Sequence, residues 1–556
     1  MTTLFKWTLA ALMLAACINP HQGCSAEAPD KSASVAVPFQ PTWESLAANY
    51  SCPDWFRDAK FGIMAHWSAQ CVPEMGDWYA RCMYMQGGHK DYDYHVARYG
   101  HPSKFGFKDM YPLWRAENWQ PKKLLALYKK AGAKYFMALA VHHDNFDNWN
   151  SKYQPWNSVN IGPKRDIIRE WEQAARHAGM RFAVSVHASR AWSWYEVAQG
   201  SDTNGPLVGV PYDGKLTKAD GKGKWWEGLD PQDLYAQNHP PGRSFDWEWD
   251  AGKGSSLPGQ AFIDNVCNRT MDLMDNYRPD MVFFDDSVLP FWPVSKRGLD
   301  LVAHYYNASI QWHGKTDVVV TGKILNEEQR RAIVWDLERG KSDRLEPFPW
   351  QTDTCLGNWH YKRDLYERHE YKTPAMVIQM LVDIVSKNGN LMLSVPVRGD
   401  GSIDDDEVAC LEAIGAWFRV NGEAIYGTRP WKVFGEGHRE EKAGNFNESK
   451  FKAYTPDEIR FTTKGNTLYA FAMAWPADGR LVIRTLGSSQ TGIQGEMKSV
   501  KLLGSTERLK CSRNPEGLVV SLPEKKPGDH VWALKITGLN LNASQPVQFL
   551  ADAEKR

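Results

Sequence analysis

The chain alternates short apolar runs with amphipathic segments over most of its length. Short apolar runs bounded by glycine, proline or charged residues are typical of strands that are buried on both faces. The segments between them have the 3.6-residue spacing of helices, and two end at a glycine that suits a C-terminal cap. The predicted strands are Phe61–Ala65, Tyr135–Val141, 182–186, Met281–Phe284, 318–320, 333–335 and 391–393. The predicted helices are 121–131, 166–178 and 262–277.

This alternation predicts an α/β fold with a parallel sheet. Because it extends over residues 42–435, we expect the sheet to close as a (β/α)8-like barrel. Residues 197–259 form a segment rich in Gly, Pro and Asp that is longer than ordinary connections. Since this segment follows a predicted strand, it should rise over the face of the barrel that carries catalytic residues.

The pattern changes in the last part of the chain. Short apolar runs, broken by Gly, Pro and Asp, predict a C-terminal antiparallel β-sandwich at 440–556. This domain could be a sugar-binding module or could serve packing, and packing is the expectation because its sequence does not gather aromatic residues with acids. The runs are 461–463, 468–475, 481–485, 518–522 and 531–536.

The N-terminus predicts export. Lys6 precedes the apolar run 7–16, which is too short to span a bilayer and suits the core of a signal peptide at 1–26. Leu-Ala-Ala-Cys at 14–17 is similar to the lipobox of bacterial lipoproteins, in which Cys17 would carry lipid, while ordinary cleavage near Ala26 is the alternative. Residues 27–41 then form a linker. The predicted location is periplasmic, outer-membrane or secreted, with a lipid anchor on Cys17 as the one contact with a membrane.

Composition and charge narrow the choice of partners. The chain has 66 Lys plus Arg against 66 Asp plus Glu, and this balance argues against nucleic acid, which demands a basic surface. There are 25 tryptophans, whose faces stack on the C–H faces of sugars. Many of these stand among polar residues, so we expect a carbohydrate site. The cysteines have no paired CxxC spacing, which argues against a metal cluster.

Polar residues follow three of the predicted strands directly. His66 follows the first, His142 and His143 the second, and Asp285 with Asp286 the fourth. Because burying an unpaired charge costs several kcal/mol, the acids are expected where strands open into a pocket. A zinc site is the competing interpretation, but the HExxH spacing is absent. No metal is therefore expected, and a metal-dependent hydrolase remains an alternative class.

At these residues the chain resembles the α-L-fucosidases, family 29 of the glycoside hydrolases. The likeness runs in order from about 42 to 540. The blocks that carry it are 55–67, 76–79, 132–144, 151–153, 162–166, 279–285, 388–401 and 421–428.

The resemblance implies a retaining mechanism with two carboxylates and no cofactor. Asp285 falls on the position of the nucleophile. Glu338, which closes the run 333–335, is our choice for the acid/base, with Asp336 and Glu346 as alternatives. Some relatives carry Glu where this chain has Gln351, a residue that cannot donate and recover a proton.

The resemblance also implies which residues bind the sugar. Trp359 falls near an aromatic that packs on the apolar edge of fucose. His187 stands where relatives often have Tyr or Ser, and Asn145 stands in place of the usual Gly. The positions matching residues that hold the fucose hydroxyls are His66, Trp67, Trp78, His142 and His143. The expected partner is a fucosylated oligosaccharide or glycoconjugate. An α-L-galactosidase and a non-catalytic carbohydrate-binding protein on the same barrel remain open.

Overall fold

The computed structural model describes residues 38–437, 442–448, 452–490 and 492–541. The predicted signal peptide, Cys17 and most of the predicted linker lie outside the described residues. Among the described residues, none of the helices has both the length and the apolar character needed to cross a bilayer.

Eight parallel strands close into a barrel in which neighbours in sequence are neighbours in space. The last strand pairs with the first, with Phe61 opposite Leu391. All eight predominantly bury their side chains, as expected for a sheet that is covered on both faces. The strands are β1 (Phe61–Ala65), β2 (Tyr135–Val141), β3 (Arg181–Val186), β4 (Met281–Phe284), β5 (Val319–Gly322), β6 (Val334–Glu338), β7 (Trp350–Cys355) and β8 (Gly389–Ser394).

Helices connect the strands and cover the barrel. Their ends follow local chemistry: the Asp166 side chain accepts from the Arg169 N–H at the start of one helix, and Asp404 with Glu407 forms a capping box at another. They are α1 (Trp43–Asn49), α2 (Asp54–Ala59), α3 (Tyr79–Cys82), α4 (Lys90–Arg98), α5 (Pro121–Lys130), α6 (Ile167–His177), α7 (Ala191–Trp194), α8 (Pro231–Tyr235), α9 (Gln260–Tyr277), α10 (Arg297–His313), α11 (Gln329–Ala332), α12 (Arg363–Glu367), α13 (Pro374–Ser386) and α14 (Asp405–Asn421).

The predicted barrel is confirmed, but one of its strands was missed. β7 reads Trp-Gln-Thr-Asp-Thr-Cys, which has neither an apolar run nor a surface-strand alternation, yet all six side chains are buried. The barrel interior provides hydrogen-bond partners for Gln351. The Tyr135 hydroxyl donates to Gln351 Oε1 at 3.0 Å, and Gln351 Nε2 donates to Asp336 Oδ1 at 2.9 Å. Gln351 is stable in the interior because both ends of its amide are hydrogen-bonded there.

Gly62 on β1 allows this interior to close. A Cβ atom at this position would lie 2.5 Å from the Tyr135 ring, which is too close for any side chain. The absence of a side chain on β1 therefore makes room for the Tyr135 ring that reaches Gln351.

The C-terminal domain contains two antiparallel sheets, and the predicted β-sandwich is confirmed. Its first strand begins at Arg429 and pairs with the strand Ile459–Lys464, so the domain starts before the predicted boundary at 435–440. Trp431, Phe461 and Leu534 lie in its hydrophobic core. Its strands are β9 (Arg429–Glu436), β10 (Ile459–Lys464), β11 (Thr467–Ala472), β12 (Arg480–Ile483), β13 (Gln494–Leu502), β14 (Lys510–Asn514), β15 (Gly517–Ser521) and β16 (Trp532–Asn540). The five-stranded sheet has the order β13-β16-β11-β10-β9 and the three-stranded sheet the order β12-β15-β14.

Candidate active site

A cavity of about 630 Å³ opens at the carboxyl ends of the barrel strands. This is the edge where parallel α/β barrels place their reacting groups. Of the nine site residues predicted from the sequence, eight line this cavity: His66, Trp78, His142, His143, His187, Asp285, Glu338 and Trp359.

Asp285 lies at the end of β4 in contact with three nitrogen-bearing side chains. His143 Nε2 and His187 Nδ1 each lie 3.1 Å from its Oδ2, and the Lys323 ammonium contacts its Oδ1. Burial by itself would raise the pKa of Asp285, but the Lys323 charge and His187 hold the pKa well below its usual range. The carboxylate is therefore ionised and faces the cavity.

Its neighbour Asp286 is held differently. Ser189 Oγ donates to its carboxylate at 2.7 Å, and Arg190 Nε lies 3.1 Å from it. These contacts fix Asp286 against the segment that follows β3. They leave Asp285 as the acid of the pair that contacts Lys323 and the two histidines.

Glu338 ends β6 and shares the same ammonium group. Lys323 donates to Glu338 Oε2 as well as to Asp285. Burial raises the pKa of the Glu338 carboxyl; the Lys323 charge opposes the rise and the charge of Asp285 adds to it. The two carboxyl groups thus have pKa values shifted in opposite directions, which is the pattern of a paired acid and base.

The two alternative acids are placed elsewhere. Asp336 is fully buried in the barrel, accepts from Gln351, and has a pKa raised to about 7 by burial despite the nearby Lys323. Glu346 is ion-paired with Arg330 at 3.0 Å and lies outside the cavity lining. Among the three candidates, Glu338 alone reaches the cavity.

Four histidine rings pack edge to face, and three of them, His66, His142 and His187, line the inner end of the cavity. The ring centroids of His66 and His187 are 5.1 Å apart, and those of His142 and His360 are 4.8 Å apart. Burial, reinforced by neighbouring rings, lowers the pKa of His66 and of His142 well below the usual range. Burial also lowers the pKa of His187 to about 4, against the opposing charge of Asp285. Neutral imidazoles can donate from one nitrogen and accept at the other.

Hydrogen bonds at Nδ1 orient two of the histidines that line the cavity, His142 and His143. Gln70 Nε2 donates to His142 Nδ1 at 2.8 Å, so His142 carries its proton on Nε2. His143 Nδ1 donates to the His187 carbonyl at 3.0 Å. His187 Nδ1 contacts Asp285, whereas His187 Nε2 and His66 Nδ1 have no hydrogen-bond partner among the described residues. These buried polar atoms are available to a ligand with several hydroxyl groups.

The structure places the Trp67 side chain in the core, away from the cavity in which it was predicted to bind sugar. Its ring packs against Trp114 and Trp119, with centroids 5.0 and 4.9 Å away, and its Nε1 donates to the Arg398 carbonyl. The side chain is 1% exposed and does not line the cavity. The apolar ring follows β1 into the core, whereas His66 beside it turns toward the cavity.

Only some of the tryptophans that stand among polar residues in the sequence line the cavity. Trp78 and Trp359 do so, and Trp247 joins them, so the long segment 197–259 reaches the face of the barrel that carries the cavity. Several other tryptophans in polar sequence surroundings are fully buried in the core, namely Trp149, Trp156, Trp194 and Trp226. Polar neighbours in sequence thus did not distinguish a binding tryptophan from a core tryptophan.

Other lining residues were not predicted. Lys323 directly follows β5, and the rule that located Asp285 would have found it if the strand had been extended to Gly322. Asn445 and Phe446 come from the region assigned to packing, and this expectation is wrong for them. Asn445 Oδ1 accepts from the Glu338 N–H at 2.9 Å, so the segment fixes the end of β6. Its sequence gives no sign of this long-range contact.

The donor sets in the cavity could also hold a metal ion. His66, His142 and His187 place three potential ligand atoms within 4.8 Å of one another, as do His143, His187 and Asp285. These are the same atoms that face the cavity and could bind sugar hydroxyls, so a metal ion and a sugar would compete for them.

Comparison with known proteins gives a consistent result. The family model for alpha-L-fucosidase matches residues 26–423, and that for the alpha-L-fucosidase C-terminal domain matches 452–537. The chain is 26% identical to tissue alpha-L-fucosidase of Rattus norvegicus over 90% of its own length and 93% of the relative. It is 27% identical to human plasma alpha-L-fucosidase over 91% and 94% of the two chains.

Solved structures agree. Thermotoga maritima alpha-fucosidase, alone and in complex with fucose, superposes with a TM-score of 0.64 at 26% identity, covering 90% of this chain and 100% of that chain. The family model for alpha-L-fucosidase spans most of the chain. The barrel and the C-terminal sheets match the fold of the solved fucosidase structure. The chain therefore belongs to the alpha-L-fucosidases, a family of glycoside hydrolases.

Proposed function

We propose that the chain is an exo-acting, retaining α-L-fucosidase that removes terminal α-L-fucosyl residues from glycans by double displacement. The main support for this mechanism is that the Lys323 ammonium group contacts both Asp285 and Glu338. Two oxygens that share one ammonium lie within two hydrogen-bond lengths, about 6 Å. Retaining glycosidases separate their carboxyl groups by about 5–5.5 Å and inverting ones by about 6.5–9.5 Å, so this contact supports retention.

In this proposal Asp285 attacks the anomeric carbon of fucose and forms a glycosyl ester. Glu338 donates its proton to the departing glycosidic oxygen, so that bond breaks as the ester bond forms. The resulting Glu338 carboxylate then takes a proton from water, which attacks the anomeric carbon and releases Asp285. The low pKa of Asp285 and the raised pKa of Glu338 support this division of roles.

The neutral histidines at the inner end of the cavity would hold the sugar hydroxyls. His142 presents its Nε2 proton, and His66 Nδ1 and His187 Nε2, which have no hydrogen-bond partner among the described residues, can complement vicinal hydroxyls. Trp359, whose ring lies 5.4 Å from that of His66, offers an apolar surface beside them. Because these buried rings close the inner end, the cavity suits a terminal residue, which supports exo action.

The sugar itself is tested by a direct comparison. The solved neighbour in complex with fucose supports fucose over L-galactose. Asn145, which replaces the usual glycine, lies outside the cavity, where Arg269 donates to its Oδ1 at 2.6 Å. We expect nitrophenyl α-L-fucoside to be hydrolysed with a kcat/KM at least about tenfold higher than the matching α-L-galactoside. Equal or reversed values would favour the galactosidase.

Replacing Lys323 with methionine should shift the whole pH profile. Loss of the shared cation raises the pKa of both Asp285 and Glu338, because the cation favours their ionised forms. Both limbs of the kcat/KM profile should move to higher pH, and kcat should fall about 10²-fold through lost positioning. Lys323→Arg, which keeps the charge, is the matched control. A profile that keeps its limbs after Lys323→Met would contradict this role.

Phe446 should contribute to the leaving-group side of the cavity. It is 63% exposed at the cavity mouth, near Ile324, which is 57% exposed. Aromatic contacts are worth about 0.5–1.5 kcal/mol, so Phe446→Ala should raise KM for a fucosylated oligosaccharide by about 2- to 12-fold. The Ki of free fucose should stay the same, because fucose alone does not reach the mouth. Val208→Ala, comparably exposed outside the cavity, is the control.

We also propose that the protein is exported and, through Cys17, anchored to lipid. The support is the apolar run at 7–16 followed by the lipobox-like residues. Labelled palmitate should enter the protein expressed in a bacterium with its complete leader and should not enter a Cys17→Ser variant. Equal labelling of the two would refute the anchor.

A further inference from the structure

A third group of potential metal ligands lies beside the cavity, on the connection between β1 and β2. Cys82 is the last residue of α3, His89 precedes α4, and Asp91 lies in its first turn. One potential ligand atom from each lies within 4.8 Å of the other two. We propose that Cys82, His89 and Asp91 bind a zinc ion at this position.

The surroundings of Asp91 support a cation. Its side chain is 1% exposed, and neither carboxylate oxygen accepts a hydrogen bond from any residue in the described part of the chain. A buried carboxylate without donors is costly by several kcal/mol. An acid in the first turn of a helix gains from the helix dipole, but that gain supplies no hydrogen-bond donor to these oxygens. A metal ion would satisfy the carboxylate directly.

The spacing also suits tetrahedral zinc. With Zn–S about 2.3 Å and Zn–N or Zn–O about 2.0–2.1 Å, tetrahedral ligands lie about 3.3–3.6 Å apart. His89 Nδ1 and Asp91 Oδ2 are 3.3 Å apart, which already matches this separation. The Asp91 N–H donates to the same ring nitrogen in a long 3.3 Å contact that a metal bond would replace. Thiolate, imidazole and carboxylate together favour zinc over magnesium or calcium, which prefer oxygen ligands alone.

A zinc ion at this position would also stabilise one wall of the cavity. Cys82 and His89 both line the cavity, and three protein ligands leave the fourth position of zinc open to water or to a hydroxyl of the leaving group. α3 follows Asp77 and Trp78, two further lining residues. Zinc would therefore tie α3 to α4 and hold this wall of the cavity in place. None of the three ligands contacts Asp285 or Glu338, so this inference stands apart from the proposed mechanism.

The test uses the full chain and two measurements other than activity. Protein purified without added chelator should contain about one zinc per chain by elemental analysis. The metal-free chain titrated with Co²⁺ should develop a thiolate-to-cobalt charge-transfer band in the near ultraviolet. The histidine groups around Asp285 contain no thiolate and cannot produce this band, so the band shows that a cysteine binds the ion.

Variants then assign the ligands. Losing even an outer-shell partner weakens metal binding about 10–100-fold, so Cys82→Ser and Asp91→Asn should each weaken zinc binding at least about 100-fold. Cys410→Ser is the matched control, because Cys410 is 6% exposed and Cys82 is 7% exposed. It should keep the band and the zinc.

If a variant fails to fold, the zinc content and the cobalt band of the unmodified chain still test the proposed site. A chain that neither retains zinc nor shows the cobalt band overturns the proposal. A band that survives Cys82→Ser also overturns it, because the thiolate would then come from another cysteine. Hydrolysis of an activated fucoside by the metal-free chain would leave the proposed catalytic roles intact in either case.

Discussion

Asp285→Gly should reduce kcat for nitrophenyl α-L-fucoside by about 10⁴-fold or more, equivalent to about 5 kcal/mol of transition-state stabilisation. The reason is the loss of the one ionised carboxylate that faces the anomeric carbon in our proposal, a group whose charge Lys323, His143 and His187 support. The protein should keep its fold, because this side chain points into a cavity rather than into the core. Steady-state kinetics and circular dichroism on the purified variant measure both effects.

Azide provides the diagnostic for this variant. A small anion can enter the space left by the carboxylate and attack the same face of the sugar, so we expect recovered turnover and a β-L-fucosyl azide product. Asp286→Asn is the matched control, since Asp286 is bound to Ser189 and Arg190. It should lower thermal stability and should not become dependent on azide. Parent-like hydrolysis by Asp285→Gly would refute the mechanism. A parent protein that binds fucose without turnover would favour the non-catalytic alternative.

Glu338→Ala should affect substrates according to their leaving group. For a poor leaving group such as a sugar hydroxyl, kcat/KM should fall about 10²–10⁴-fold, because the departing oxygen no longer receives a proton. For dinitrophenyl α-L-fucoside the first step needs no acid, so kcat/KM should remain close to that of the parent. The second step then lacks its base, and azide should accelerate it. Parallel kinetics with both substrates measure this difference.

The pH profile gives an independent check on the same residue. Glu338 acts when protonated, so its raised pKa extends activity toward higher pH, and activity is lost as the pH rises through that pKa. Asp285 acts when ionised, so activity on the acid side is lost only as the pH falls through its depressed pKa. In Glu338→Ala the basic limb should disappear for the activated substrate. Glu346→Gln, outside the cavity, should keep both limbs. A basic limb that persists without Glu338 would mean that another group is the acid.

The class of fold and most of the candidate site could be predicted from the sequence. Apolar runs such as Met281–Phe284 predict buried strands because burial on both faces demands apolar side chains. Polar residues at the ends of these runs, such as His142 and Asp285, mark the cavity because parallel strands bring their carboxyl ends together. This rule is local, and it therefore needs no knowledge of long-range packing.

Which side chains face one another could not be predicted from the sequence, because it depends on the tertiary structure. β7 is polar in sequence and was missed, yet the barrel interior supplies hydrogen bonds that make Gln351 stable there. Trp67 stands next to His66 and packs into the core instead of the cavity. Lys323 bridges Asp285 and Glu338 from a third strand, and Asn445 reaches Glu338 from more than a hundred residues away. Such contacts depend on the closure of the barrel and the return of a distant segment, which no local pattern of residues encodes.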